Sequence, residues 1–303
     1  MRIGIDATTW WNQRGFGRFT RQLIGAMLEL QREHEFVLFI DRPPAESMKR
    51  DNVTIVTVLT SRTVTEAAVA DSSRGIVDLL AFRGAARAQK LDAFYFPAVY
   101  SWFPIGRGIA SIVTFHDAIA EHFPDLVMPR WQNRLLWDAK VYLAKSSASA
   151  ITTVSEAAKR ELVRYLKLPE RDIHVIYEAA DPVFRPVRDE SHLRSIRGRL
   201  ALPAGRPLFL YVGGLAPHKN LIGLTKAYAA AKKGGKLGDV DLVLAGDPNG
   251  DGFHSNAAEL VEMVEHDPAL KGHVHFPGFV ADEDLPGLYS NAIAVLMPAF
   301  SEG

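Results

Sequence analysis

The sequence predicts an α/β protein built from two doubly wound parallel sheets, and three observations predict it. Short apolar runs alternate with amphipathic stretches along most of the chain, as repeating β-α units do when their strands are buried on both faces. The alternation breaks once, in a segment rich in proline and charge, and then restarts. The length of 303 residues with 48% hydrophobic composition suits two cores better than one.

In the first half, residues 2–6, 36–40, 53–59, 93–96, 111–115, 150–154 and 174–176 read as strands. Residues 18–33, 130–145 and 156–166 carry apolar positions at three- and four-residue spacing and read as helices. Ser155 stands where it would cap the last of these. Residues 181–190 and 202–207 hold the interruption, so the expected domains are 1–185 and 186–303. Strands are then expected at 208–212, 241–245, 273–276 and 292–297, with helices near 221–233, 256–266 and 282–290. Two such sheets, with the loops at their carboxyl ends facing one another, would form a cleft suited to a nucleotide-linked ligand.

Bulk properties exclude several function classes. Lys+Arg and Asp+Glu both number 35, so no net field points to nucleic acid. The absence of cysteine removes disulfides, thiolate catalysis and cysteine-bound zinc. The chain opens on a strand, leaving no room for a signal peptide, and no apolar run approaches the about 18 residues of a membrane span. A cytoplasmic protein is expected.

The segment from Leu208 to Asn220 reads as a buried strand that stops at Gly213 and Gly214 and restarts as a helix with Lys219 in its first turn. Glycines let backbone approach an anion, a helix start offers unpaired N–H groups and the positive dipole end, and Lys219 adds a full charge. This is a place to hold a phosphate, although an ordinary strand-to-helix connection has the same outline.

Seven pieces stand in order along the chain: Gly15-Phe-Gly17-Arg-Phe19, Phe115-His116-Asp117, Thr153-Val-Ser155, Val175-Ile-Tyr-Glu-Ala-Ala-Asp181, Val212-Gly-Gly-Leu-Ala-Pro-His-Lys219-Asn220-Leu221, Leu244-Ala-Gly246 and Phe276-Pro-Gly278. Together with Pro298-Ala-Phe-Ser301-Glu302-Gly303 they resemble the group 1 (family 4) retaining glycosyltransferases. The resemblance implies a GT-B fold, two Rossmann-like domains with acceptor on the first and donor on the second. It also implies a C-terminally truncated member with an incomplete second domain, because the family's second glutamate would follow eight residues after Glu302.

The resemblance implies roles for particular residues. Gly15 and Gly17 would touch the donor diphosphate or shape the acceptor pocket; a dinucleotide fingerprint fits less well, since Thr20 stands where its third glycine belongs. His116 would contact the donor sugar or its phosphate, with Asp117 orienting the imidazole or capping the next segment. Gly213, Gly214, Lys219 and Asn220 would bind the donor, Lys219 stabilising the diphosphate leaving group, and Glu302 would contact donor-sugar hydroxyls. The family often has arginine where this chain has Gly214, and Arg18 or His218 are the candidates to supply that cation. Arg18, Asp117 and Trp102 are expected on the acceptor side.

Asp239-Val-Asp241 and Asp282-Glu-Asp284 fit a strand start and an acidic helix start better than a metal site, and Asp247 and Asp251 read as turn formers. His254, His266, His273 and His275 lack spacing that converges on one ion. No metal and no cofactor are expected. Trp10, Trp11 and the aromatics from Phe94 to Phe103 are mostly core, with a minority reading as a stacking surface for an acceptor sugar or a lipid-linked acceptor.

The resulting expectation is a hexosyltransferase of polysaccharide biosynthesis that uses a nucleotide sugar and a saccharide or lipid-linked acceptor, with peripheral association at the inner face of the membrane in the lipid-linked case. The forms at residues 15–19 and 114–117 resemble mannosyltransferases, which implies GDP-mannose, with UDP-glucose open. A catalytically silent fragment and a nucleotide-sugar epimerase of the same fold are the alternatives.

Overall fold

A computed structural model describes residues 1–12, 15–60, 75–247 and 255–302. Asp251, His254 and Gly303 lie outside the described residues. The chain divides into two units, one formed mainly by residues 1–178 and the other mainly by residues 179–302.

The first unit is built on seven strands, β1 (Arg2–Asp6), β2 (Glu35–Ile40), β3 (Val53–Thr57), β4 (Ala93–Phe96), β5 (Ala110–Thr114), β6 (Ala150–Thr153) and β7 (Ile173–Val175). They pair in parallel in the order β3-β2-β1-β4-β5-β6-β7. Strand alternation divides the side chains between two cores: Val37 and Phe39 of β2 enter one apolar cluster, while Phe36, Leu38 and Ile40 enter the other. Burial on both faces is why these strands read as continuous apolar runs. The winding direction reverses between β1 and β4, the position where such sheets open a crevice at their carboxyl edge.

The second unit repeats the plan at smaller scale. Strands β8 (Leu208–Val212), β9 (Asp241–Ala245), β10 (Val274–Gly278) and β11 (Ala294–Val295) pair in parallel in the order β10-β9-β8-β11, with the reversal between β8 and β11. Leu242 and Leu244 face one core, Val243 and Ala245 the other.

Three differences from the sequence expectation bear on the site. The first helix spans Gly15–Leu30, starting three residues early, so Gly15 and Gly17 belong to its first turn and not to a loop. A Cβ on Gly17 would lie 2.0 Å from the Asn12 carbonyl oxygen, and that close approach is what the glycine permits. Helix Glu190–Arg199, capped by Asp189, is an addition to the expected elements. Residues before the expected boundary at 185/186 also pack in the second unit: the Phe184 ring meets Tyr289 at 6.1 Å. Among the described residues no helix is long and apolar enough to cross a membrane.

Candidate active site

In the second unit, β8 carries the chain to the reversal point and Gly213 begins the turn. A Cβ there would lie 2.6 Å from the Tyr211 hydroxyl, and a Cβ on Gly246 would lie 2.1 Å from the Gly213 carbonyl oxygen. The two glycines therefore let the ends of β8 and β9 close on one another. The Tyr211 hydroxyl donates to the Gly214 carbonyl at 2.7 Å and fixes the turn from below.

Pro217–Lys219 forms one 3₁₀ turn, Asn220 breaks it in the left-handed region at φ 55°, and helix Leu221–Lys233 follows. Lys219 thus precedes the helix, where the sequence reading had it inside the first turn. The left-handed residue redirects the chain between the turn and the helix, and asparagine tolerates that conformation better than most residues.

The loops that follow β8 and β11 are bonded to each other. The Lys219 ammonium donates to Glu302 Oε2 at 2.6 Å, Asn220 Nδ2 donates to the Pro298 carbonyl at 3.1 Å, and the Phe300 amide donates to the His218 carbonyl at 3.0 Å. The Lys219 and Glu302 side chains are 20% and 40% exposed, so both are open to a ligand. An ammonium beside a helix start, tethered by a carboxylate, is chemically an anion site whose occupant competes with that carboxylate.

His218 does not supply the second cation. Burial, and next the charge of Lys219, depress its pKa to about 4, so the ring is neutral near pH 7.

In the first unit, His116 follows β5 at the carboxyl edge. Its Nε2 donates to the Pro97 carbonyl beyond β4 at 2.9 Å, which fixes the proton on that nitrogen because a carbonyl only accepts. Nδ1 faces Glu178 Oε1 at 3.9 Å, and the Phe19 ring meets the imidazole edge-on at 4.7 Å. Phe16 stacks on Tyr100 at 5.6 Å. The first helix turn and the loops after β4, β5 and β7 thus gather around His116, with Arg18 partly buried in that same turn. Glu178 lies within the Val175–Asp181 piece that carries the resemblance, but no role is assigned to it from the sequence. Asp117 Oδ1 accepts from the Ile119 amide at 3.0 Å, at the start of the segment that follows. Ser155 accepts from the Ala158 amide at 2.9 Å and caps helix Glu156–Leu166 as expected. Burial raises the pKa of Glu121, against the opposing bond from Trp137 Nε1 at 2.8 Å.

Trp102 has no acceptor-facing surface. It is 4% exposed and packs in the core against Phe96, and Trp10 is also core.

His273 and His275 both approach the buried Asp241. His273 Nδ1 lies 3.0 Å from Oδ1 and His275 Nε2 3.1 Å from Oδ2, with Arg206 3.2 Å from Oδ1. This cluster sits at the amino end of β9, opposite to Gly213. Among the described residues no group of three His, Asp or Glu side chains is arranged to hold a metal ion. Asp284 pairs with Arg199.

Two lobes of this design, each a parallel sheet with its reversal point, have the architecture of the GT-B fold. The chain belongs to the group 1 glycosyltransferases: the family model described as Glycosyltransferase Family 4 matches residues 14–184, and that described as Glycosyl transferases group 1 matches residues 194–303. Among curated relatives, O-antigen chain mannosyltransferase B of Escherichia coli is 28% identical over 193 residues, covering 64% of this chain and 48% of the relative. Alpha-D-kanosaminyltransferase of Streptomyces kanamyceticus is 25% identical over 194 residues, covering 63% and 47%. The chain spans about half the length of the curated relatives it matches. Among solved structures, sucrose-phosphate synthase from Thermosynechococcus elongatus superposes with TM-score 0.69 at 16% identity, covering all of this chain and 76% of that one. Anabaena HepE, solved with UDP-glucose, superposes with TM-score 0.66 at 17% identity, covering 99% and 74%. These likenesses show a shared fold.

Proposed function

We propose that this chain carries the acceptor and donor domains of a retaining hexosyltransferase. The observation that carries the reading is the Lys219–Glu302 pair at 2.6 Å at the reversal point of the second sheet. In this reading a nucleotide diphosphate takes the place of the carboxylate on the ammonium, and Glu302, released, accepts from hydroxyls of the donor sugar. Negative charge grows on the leaving diphosphate as the glycosidic bond breaks, so Lys219 stabilises the transition state more than the ground state. The acceptor oxygen attacks from the face the diphosphate leaves, its proton passes to a phosphate oxygen, and configuration is retained. His116, its Nε2 proton committed to Pro97, presents Nδ1 as an acceptor to a sugar hydroxyl. The reaction needs no cofactor and no metal.

GDP-mannose is the first donor to test, supported by the mannosyltransferase relative; the UDP-glucose bound to Anabaena HepE supports UDP-glucose as the second. The acceptor is a saccharide, free or lipid-linked, and the work is done on the cytoplasmic side. Incubation with each nucleotide sugar, with and without saccharide acceptors, tests this by product analysis. Transfer gives a nucleoside diphosphate and an extended acceptor. Release of nucleotide with an altered free sugar and no need of acceptor would identify an epimerase and overturn the reading.

A further inference from the structure

His116 and Glu178 stand at the carboxyl edge of the first sheet, on the loops after β5 and β7, and both belong to the first unit. Their facing atoms, Nδ1 and Oε1, are 3.9 Å apart. That gap is too long for a direct hydrogen bond and short enough for one atom to bond both sides at once. The other ring nitrogen is spent on the Pro97 carbonyl at 2.9 Å, so Nδ1 is left as a lone pair turned toward a carboxylate. Two acceptors, one of them charged, therefore face one another across an opening. Among the described residues no lysine or arginine pairs with Glu178, and its side chain is 52% exposed.

We propose that this gap receives the protonated amine of an amino saccharide. The inference rests on the reading of the first unit as the acceptor half; it narrows the acceptor to an aminated saccharide and replaces the hydroxyl at Nδ1 by an ammonium. Proton count decides the group. A hydroxyl has one proton, so between two acceptors it satisfies one and turns a lone pair on the other. An N-acetyl amide has the same shortage, with a single N–H. A phosphate or carboxylate brings only acceptors and is repelled. A primary ammonium has three protons. An atom about 2.8 Å from both partners subtends about 90° between them, near the tetrahedral spread of ammonium N–H bonds. Its charge also answers that of Glu178, and a hydrogen bond between ionised partners is roughly twice as strong as a neutral one.

The surroundings suit the rest of such a ligand. The Phe19 ring stands edge-on to the imidazole at 4.7 Å and Phe16 stacks on Tyr100 at 5.6 Å, both phenylalanines half-buried on the helix that starts at Gly15. Sugar rings carry apolar C–H faces, and aromatic side chains offer large apolar surface to lie against. The His116 side chain is 15% exposed and held by Pro97, which fixes Nδ1, whereas the exposed Glu178 side chain can adjust to the ligand. A fixed lone pair and an adaptable charge select for an ammonium ahead of any one sugar.

NMR titration of the full chain with glucosamine, glucose and N-acetylglucosamine, in the absence of nucleotide, tests the proposal. No transfer is required, so failure here leaves the donor site to its own titration with GDP and UDP, and failure there leaves this result standing. Glucosamine is expected to bind at least about tenfold more tightly than the other two sugars at neutral pH. Glu178→Gln, which keeps the shape and removes the charge, should bring glucosamine down to the level of glucose, and Glu178→Asp should keep part of the preference. The position is exposed, and an unchanged thermal midpoint in both variants checks that the fold is kept. Equal binding of glucosamine and glucose to the wild type, as a hydroxyl bridging a protonated ring would give, overturns the proposal. So does a lack of binding by all three sugars, or a preference for glucosamine that survives Glu178→Gln.

Discussion

Lys219 and Glu302 stand 83 positions apart in the chain and meet at 2.6 Å because β8 and β11 are neighbours in the sheet. The ammonium is thereby neutralised in the unliganded protein, and an incoming anion must displace the carboxylate. Glu302→Gln removes the competitor while keeping the shape. A partly exposed pair contributes about 0.3–1 kcal/mol, so bare nucleoside diphosphate should bind roughly two- to fivefold more tightly to the variant. Turnover of the intact sugar donor should fall, because the sugar loses its charged acceptor. Calorimetry and steady-state rates on one preparation read both, and weaker diphosphate binding would count against the exchange.

Asn220 contributes through its backbone and through its side chain. Asn220→Gly keeps the left-handed turn easily but loses the bond to Pro298, whereas Asn220→Ala loses the bond and keeps a strained φ. The alanine variant should be about 1 kcal/mol less stable than the glycine variant in urea. Equal stabilities would mean that the turn carries no conformational demand.

His218 should show itself in acid. Its proton affinity is depressed in the folded protein, to a pKa of about 4 against 6.5 unperturbed, so between these values the unfolded chain binds more protons than the folded one. Stability contributed by the neutral ring is complete above about pH 6.5 and declines as pH falls towards 4. His218→Asn cannot take up that proton. Its urea midpoint should therefore fall less than that of the wild type over this interval, whatever its absolute stability. Parallel pH profiles would contradict the neutral buried ring.

Trp102→Ala should act on the fold. Removing a buried aromatic side chain costs about 3–5 kcal/mol, so the thermal midpoint should drop sharply. A variant with normal stability and a raised acceptor KM would restore the surface role that burial denies it.

Most of the fold was legible because its strands are apolar on both faces, a pattern with few other causes. Helix Glu190–Arg199 was not, since Leu193 and Ile196 are its only large apolar residues short of the end; its place is set by Ile196 against Gly287, where a Cβ would come within 2.0 Å. At the candidate site the residue types could be read, but not their pairing. Lys219 stood out by its turn, and its contact with Glu302 depends on strand order. His116 could be singled out from its position after a strand, while its partner at Pro97 is a carbonyl that any residue would offer. Trp102 shows the opposite limit: aromatic density looks the same whether it fills a core or lines a surface.

The central claim is that the Lys219 ammonium receives the diphosphate of the donor. Titration of GDP and UDP into the wild type and into Lys219→Met tests it most directly. Micromolar binding of one nucleotide to the wild type, weakened at least about tenfold in the variant as expected for loss of a charged hydrogen bond, is the predicted result. Equal affinity of the two proteins for that nucleotide would contradict the account.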